Sequence, residues 1–228
     1  MRILHLYPNL MNLYGDYGNL SVLKKHLEDQ GADVQIDRKE VEESIDLSLY
    51  DMIYMGSGTE SAQLIALNDL MKYRHHLKKA VDECKVVLFT GNAMELAGKK
   101  IDEHPALDLA DFETETGEKR YTGDVIVRNE QIGEVVGFIN KSTSIKGGEA
   151  DKLFDYVFRH VTLKDNEYEG FRIKNFFGTH IIGPVLVKNP CFMDCIVRLL
   201  VKDEYKQFSY PYEEDAYATT LEELKKRK

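Results

Sequence analysis

Four short strand-like runs in the first 89 residues constrain the fold more than any other feature of the sequence. They lie at residues 3–7 (ILHLY), 33–36, 52–55 (MIYM) and 86–89 (VVLF). Stretches with leucines at helical spacing separate them, at residues 20–30 and 60–82. Strands that are apolar on both faces and alternate with helices form a parallel sheet covered on both sides. The sequence therefore predicts an α/β fold with a mostly parallel sheet.

Three loops follow these strands, and parallel sheets bind ligands at the carboxyl ends of their strands. The loops are residues 8–19, residues 56–59 and the corner Thr90-Gly91-Asn92, so we expect all three to meet in space. The third loop joins a strand to a short helical stretch through a tight turn. In several hydrolase and transferase folds such a turn carries a Ser or Cys nucleophile, and here it carries neither.

The rest of the chain has a different pattern. Residues 112–139 and 171–183 are rich in β-forming residues, with glycines at the expected hairpin turns, whereas the small polar residues 141–150 predict a loop. A helix is expected at 191–201. We expect one domain over residues 1–200 and a polar tail over 201–228. Thr219 or Thr220 could cap a helix in that tail.

Composition excludes some classes of function. The net charge is -9 and the pI is about 5.3, which argues against a nucleic-acid partner. No run approaches the roughly 18 apolar residues of a membrane span, so a cytoplasmic location is the default expectation. The three cysteines do not predict a disulfide framework. Cys191 and Cys195 share a helix without a second pair of ligands, so they predict buried core thiols; neither a metal site nor a cofactor is expected.

Two further features leave alternatives open. Gly56-Ser57-Gly58 follows a strand and begins a helix, where backbone N–H groups can face an anion. A dinucleotide loop would need a third glycine and a distant acid, so a plain turn or an oxyanion-type loop facing residues 90–93 fits better. His180 lies in the apolar run FFGTHIIGP, where a histidine is more often packed than catalytic.

Five segments then occur in a recognisable order. They are HLYPNLMNLYGDYGN at 5–19, GSGTESAQ at 56–63, TGNAMELAG at 90–98, GEVVGFIN at 133–140 and EYEGFRIKNFFGTHIIGPVLVKNP at 167–190. Together they resemble the glutamine amidotransferase domain of the cobyric acid synthase type. Within it, the small subunit of lipid II isoglutaminyl synthase is the most similar group. The resemblance extends from residue 3 to about 195. It implies a flavodoxin-like three-layer sandwich with an added β-rich portion at 112–183.

The resemblance also implies a chemistry. In this family a cysteine at the corner attacks the amide of glutamine, a histidine activates the cysteine, and backbone N–H groups hold the oxyanion. Ammonia then passes to an ATP-dependent partner. The implied partner is a Mur-ligase-like or cobyrinate-synthase-like subunit, acting in peptidoglycan or cobalamin biosynthesis.

This chain departs from the family pattern at both catalytic positions. Gly91 stands at the cysteine position and Ile182 at the histidine position. Glu95 replaces the family glutamine of the corner, and Lys141 replaces the histidine that usually follows GFIN. A histidine without its cysteine has nothing to activate, so the two losses are chemically coherent. We therefore expect a subunit without glutaminase activity that acts as a binding or regulatory partner.

The remaining pocket elements are retained. Gly56, Ser57, Gly58 and Asn92 are expected to surround the pocket. The candidates for binding a small glutamine-like ligand are Asp16, Asn19, Gln63, Arg120, Arg128 and Asn140. Two alternatives remain open. One is an active amidotransferase in which Thr90 and His180 replace the lost pair, because positions 180 and 182 of a strand share a face. The other is a scaffold whose pocket is filled by side chains.

Overall fold

The computed structural model describes residues 1–160 and 168–227. Its strands are β1 (Arg2–Leu6), β2 (Gln35–Lys39), β3 (Met52–Met55), β4 (Val86–Thr90), β5 (Lys100–Ile101), β6 (His104–Pro105), β7 (Phe112–Asn129), β8 (Gly133–Gly147), β9 (Lys152–Arg159), β10 (Tyr168–Ile173) and β11 (Phe176–Thr179). Its α-helices are α1 (Tyr17–Asp29), α2 (Glu60–Leu70), α3 (Arg74–Asp82), α4 (Val185–Lys188), α5 (Pro190–Val201) and α6 (Pro211–Lys225).

These strands form one sheet, in the order β2-β1-β3-β4-β11-β10-β9-β7-β5-β6, with β8 paired to β7. The five strands at one end of this order, β2, β1, β3, β4 and β11, are mutually parallel. From β11 onwards the pairs are antiparallel, except for β5 against β7. The predicted α/β fold with a parallel core and an added β-rich portion is confirmed.

Helices cover both faces of the parallel core, because successive strand residues point to opposite sides. Leu4, Ile53 and Val87 pack in one apolar cluster with residues of α2 and α3. Ile3 and Met52 pack in a second cluster with residues of α1 and α5. The result is the three-layer arrangement implied by the resemblance.

Some predicted elements have different bounds. The helix expected at 60–82 is divided by a 3-10 turn at 71–73 into α2 and α3, and the strand expected at 33–36 lies at 35–39. The loop predicted at 141–150 is wrong over most of its length, because β8 continues to Gly147. Lys141, Thr143 and Ile145 alternate inwards along this strand. The inward side chains are partly polar, so the sequence lacked the apolar alternation that indicates a strand.

The C-terminal segment is a helix that packs on the β-rich portion. α6 begins at Pro211, before the predicted threonine cap, and the hydroxyl of Thr220 donates to the Ala216 carbonyl within the helix. Leu224 is buried in a cluster with Ile126 and Val136, side chains of β7 and β8. Within residues 1–160 and 168–227, no helix is both long and apolar enough to cross a membrane.

The predicted β-rich portion and the predicted tail each include residues outside this description. These are residues 161–167 in the first case and residue 228 in the second.

Candidate functional site

The three loops at the carboxyl ends of the strands meet, as the sequence predicts. Asp16 of the first loop accepts hydrogen bonds at Oδ2 from the Ser57 amide (2.6 Å) and from the Thr90 hydroxyl (3.2 Å). Asn92 of the corner accepts hydrogen bonds at Oδ1 from the Gly58 amide (2.9 Å) and from the Ser57 hydroxyl (3.2 Å). The loop at 56–58 is therefore held between the other two.

The corner at Gly91 has no room for a side chain. Gly91 has φ +59, a left-handed conformation that glycine adopts at little cost. A Cβ atom there would lie 2.4 Å from Oγ of Ser57 and 3.1 Å from Cγ2 of Ile182. Real Cβ atoms do not approach an oxygen so closely. The Ser57 side chain thus fills the space that a side chain at position 91 would need. Ile182 is the other direct neighbour of position 91.

The backbone of the 56–58 loop is turned towards protein acceptors. The Ser57 N–H donates to the carboxylate of Asp16, and the Gly58 N–H donates to the side chain of Asn92. Two of the three backbone N–H groups of this loop are therefore already used. In this geometry the loop is a turn whose backbone is fixed by hydrogen bonds to the side chains of Asp16 and Asn92.

Thr90 and His180 are not brought together. The hydroxyl of Thr90 is fully buried and hydrogen-bonds to Asp16 and to the hydroxyl of Tyr54, 3.2 Å away. The imidazole of His180 contacts other groups, and no hydrogen bond joins it to Thr90 in the described part of the chain. His180 is therefore not the acceptor of the Thr90 hydroxyl, which donates to the carboxylate of Asp16 instead.

His180 instead lies at the centre of a buried charged network. Its Nε2 is 3.1 Å from Oε1 of Glu95, and its Nδ1 is 3.6 Å from Oε2 of Glu169, beyond hydrogen-bond range but close enough for an ion pair. Glu95 also accepts hydrogen bonds from Thr143 (2.5 Å) and from the amide of Gln63 (2.7 Å). All three charged side chains are at most 2% exposed.

This network is held in its ionised form. Burial and the charge of Lys141 act to lower the pKa of His180, but its contacts with Glu169 and Glu95 outweigh them and raise that pKa above 6.5. Burial acts to raise the pKa of each glutamate, and the hydrogen bond and charge of His180 reverse this, so both pKa values fall below 4.5.

Sequence reasoning did not find Glu169 or Thr143. The only signal for Glu169 was a single acid within the otherwise apolar and aromatic run YEGF, which implies a buried partner.

A cavity of about 170 Å³ lies above this network. Of the predicted site residues, its lining includes Ser57, Gly58, Gln63, Asn92, Arg120 and Asn140. Asp16 and Asn19 are buried beneath it: Asn19 donates to the Tyr54 hydroxyl and accepts from the Leu186 amide. Gly56 also lies outside the lining. Arg128 lies on an exposed part of β7 opposite Glu134, so the structure does not bring it to the cavity.

Two residues of the lining each have one side-chain polar atom without a hydrogen bond in the described part of the chain. The Gln63 amide nitrogen donates to the Asn92 carbonyl (2.7 Å) and to Glu95, which fixes its orientation. Oε1 of Gln63 and Nδ2 of Asn92 form no hydrogen bond within residues 1–160 and 168–227. The lining thus includes one acceptor and one donor, the two kinds of group that pair with a carboxamide.

The mouth of the cavity is ringed by a chain of polar contacts. Arg120 donates to Oδ1 of Asn140 (3.0 Å) and forms an ion pair with Glu60 of α2. Asn140 in turn donates to the hydroxyl of Tyr14 (3.0 Å). The mouth is thus built from the first loop, α2, β7 and β8.

Comparison with known families agrees with this geometry. Residues 2–190 match the model of the CobB/CobQ-like glutamine amidotransferase domain. The chain belongs to this family. Two curated relatives of this CobB/CobQ-like protein are lipid II isoglutaminyl synthase (glutamine-hydrolyzing) subunits GatD. The subunit of Staphylococcus aureus is 29% identical over 83% of this chain and 79% of its own length. That of Streptococcus pneumoniae is 28% identical over 98% and 89%.

Solved structures agree on the fold of this CobB/CobQ-like chain. A crystal structure of a glutamine amidotransferase superposes with a TM-score of 0.59 at 16% identity, over 86% of this chain and 98% of its own. A glutamine amidotransferase from Thermotoga maritima gives a TM-score of 0.54 at 12% identity, over 100% and 97%. At such low identity these likenesses concern the fold alone.

Asp16 gives this CobB/CobQ-like domain a testable pH dependence. Burial raises its pKa from 3.8 to about 6, although hydrogen bonds from Ser57 and Thr90 oppose the shift. The folded state therefore binds more protons than the unfolded state between pH 3.8 and about 6, and stability falls as pH rises through that window. Asp16→Asn should remove a penalty of about 2–3 kcal/mol at pH 7.

Urea unfolding at pH 4 and pH 7 checks this expectation for Asp16. The stability of Asp16→Asn relative to the wild type should increase from the lower pH to the higher one. The exposed Asp51→Asn variant, measured in the same way, serves as the control. An equal difference at both pH values would contradict the assigned role.

Proposed function

We propose that this chain is the amidotransferase-like subunit of a two-subunit synthase related to lipid II isoglutaminyl synthase, and that it does not hydrolyse glutamine. It acts as a binding or regulatory partner of an ATP-dependent subunit that resembles a Mur ligase or a cobyrinate synthase. The observation that carries this proposal is the corner at Gly91, where the Ser57 side chain occupies the space that a nucleophile would need.

Two further observations support the loss of glutaminase chemistry. Ile182, the neighbour of position 91, has no group that accepts a proton. The Ser57 and Gly58 amides donate to Asp16 and Asn92, so they are not free to stabilise an oxyanion. Nucleophile, base and oxyanion donors would all have to be supplied by other groups.

The cavity itself supports retention of a ligand. Its lining contains the Gln63 acceptor, the Asn92 donor and Arg120. These groups complement a small molecule that carries a carboxamide at one end and a carboxylate at the other. We therefore include a glutamine-like ligand, bound without hydrolysis, in the proposed function.

The decisive experiment measures glutamate release from glutamine. The purified chain is assayed alone and together with a Mur-ligase-like subunit from the same organism, and both assays are expected to give no glutamate above background. Thr90→Val and His180→Gln are assayed in parallel. Any glutamate release above background would contradict the proposal, and release that is lost in a variant shown to be folded would assign the reaction to the residue replaced.

A binding measurement addresses the partner. The chain and a Mur-ligase-like subunit from the same organism should co-elute in gel filtration, and ligase activity with ammonium as nitrogen source should change when the chain is added. Absence of both effects would contradict the regulatory role, whatever the outcome of the glutaminase assay.

A further inference from the structure

Two oppositely charged side chains face each other at the mouth of the cavity. Arg120 of β7 forms an ion pair with Glu60 of the first turn of α2, and the two side chains are 47% and 60% exposed. The second contact of the guanidinium is the neutral Asn140 side chain. A ligand that enters the cavity therefore passes one cation and one anion at the mouth that already neutralise each other. The lining also contains a second cationic side chain, Lys141, which is 8% exposed.

Glu60 is the carboxylate of the lining that a ligand can reach. The other carboxylate of the lining, Glu95, is 1% exposed. Its oxygens are already engaged by Thr143, Gln63 and His180. Any anionic contribution of the cavity to ligand binding has to come from Glu60.

We propose that Glu60 determines the charge specificity of this cavity by binding the ammonium group of an α-amino acid whose carboxylate binds Arg120. The inference rests on the proposed function, because it assigns a recognition role within the same cavity. A bound zwitterion replaces the ion pair between Arg120 and Glu60 with two ion pairs, one between its carboxylate and Arg120 and one between its ammonium group and Glu60. A ligand with a carboxylate alone would place its charge beside that of Glu60, and like charges in a binding site are a standard means of rejection.

Glu60 has the charge that this role requires. The hydrogen bond from its own backbone amide, followed by the contact with Arg120, lowers its pKa below 4.5, so it is ionised at neutral pH. Its place in the first turn of an 11-residue helix adds a favourable interaction with the helix N-terminus.

Isothermal titration calorimetry with two probes tests the proposal. Glutamine and 4-carbamoylbutanoate share the carboxamide and the carboxylate, and only glutamine has the ammonium group. The wild type is expected to bind glutamine about tenfold more tightly. In Glu60→Gln this preference should fall to about twofold or less. Glu28→Gln removes an exposed, ion-paired glutamate from α1 and should keep the wild-type preference.

The outcomes distinguish the role of Glu60 from the presence of a ligand site in the cavity. An unchanged preference in Glu60→Gln, with both probes still binding, overturns the role of Glu60 and leaves the cavity as a ligand site. If neither probe binds the wild type while the chain still associates with a Mur-ligase-like subunit, the proposed ligand is wrong, and the role of Glu60 is wrong with it.

Discussion

Replacing Gly91 by cysteine is expected to destabilise the fold by about 2–4 kcal/mol, not to create an active enzyme. The new Cβ would lie 2.4 Å from Oγ of Ser57, and overpacking of this kind costs about 1–3 kcal/mol. The left-handed backbone at φ +59 adds roughly 1 kcal/mol for any residue with a side chain. Urea unfolding of wild type and variant measures the sum.

A second substitution separates steric overlap from backbone strain. Ser57→Gly removes the overlapping atoms, so Gly91→Cys should cost less by about 1–3 kcal/mol when Ser57→Gly is already present. Gly31→Cys is the matched control, because Gly31 has φ +92 and nothing lies within 4 Å of its Cβ position. Gly31→Cys should therefore be destabilised only by the backbone strain of a side chain at positive φ, without a steric contribution. Additive effects of Ser57→Gly and Gly91→Cys would contradict the proposed steric block.

The same pair of positions allows a chemical test of the lost dyad. In Ser57→Gly/Gly91→Cys/Ile182→His, an imidazole would stand beside the new thiol, because Ile182 is already the neighbour of position 91. A protonated imidazole lowers the pKa of a nearby thiol. Alkylation of the thiol introduced at position 91 by iodoacetamide at pH 7, followed by peptide mass spectrometry, should be about tenfold faster than in the variant that keeps Ile182. Equal rates would contradict the spatial pairing.

The parallel core was predictable because its residues satisfy one simple rule. Runs such as 52–55 and 86–89 are apolar on both faces, and only the centre of a covered sheet buries both faces. Once the strands are parallel, their loops have to meet at one edge. The contacts that join Asp16, Ser57 and Thr90 follow from that topology. The adjacency of positions 91 and 182, in contrast, followed from the resemblance.

The charged interior was not predictable from the sequence. Lys141 and Thr143 face inwards because Glu95, His180 and Glu169 form a polar interior beneath the cavity. These groups lie far apart in sequence, and apart from the single acid in YEGF no isolated segment indicates that a buried partner exists. For the same reason residues 141–147 of β8 were predicted as a loop, and Glu60 was not among the predicted site residues.

His180→Ala is expected to destabilise the domain by about 3–5 kcal/mol, because it leaves the carboxylates of Glu95 and Glu169 buried without their shared counter-charge. A triple variant, His180→Ala with Glu95→Gln and Glu169→Gln, removes those charges and should recover at least about 1–2 kcal/mol of that loss. His76→Ala alters an exposed histidine and should change stability by less than about 0.5 kcal/mol. Urea unfolding at pH 6 provides the comparison.

The pH dependence of the same variants distinguishes a charged network from simple loss of packing. The pKa of His180 is raised in the folded state, so its contribution is complete below pH 6.5 and is lost as pH rises through the folded value. The pKa values of Glu95 and Glu169 are lowered, so their contribution is complete above pH 4.5 and is lost as pH falls. The stability difference between wild type and His180→Ala should therefore be largest between pH 4.5 and 6.5. A difference that stays constant from pH 4 to pH 9 would mean that His180 stabilises the domain by packing alone.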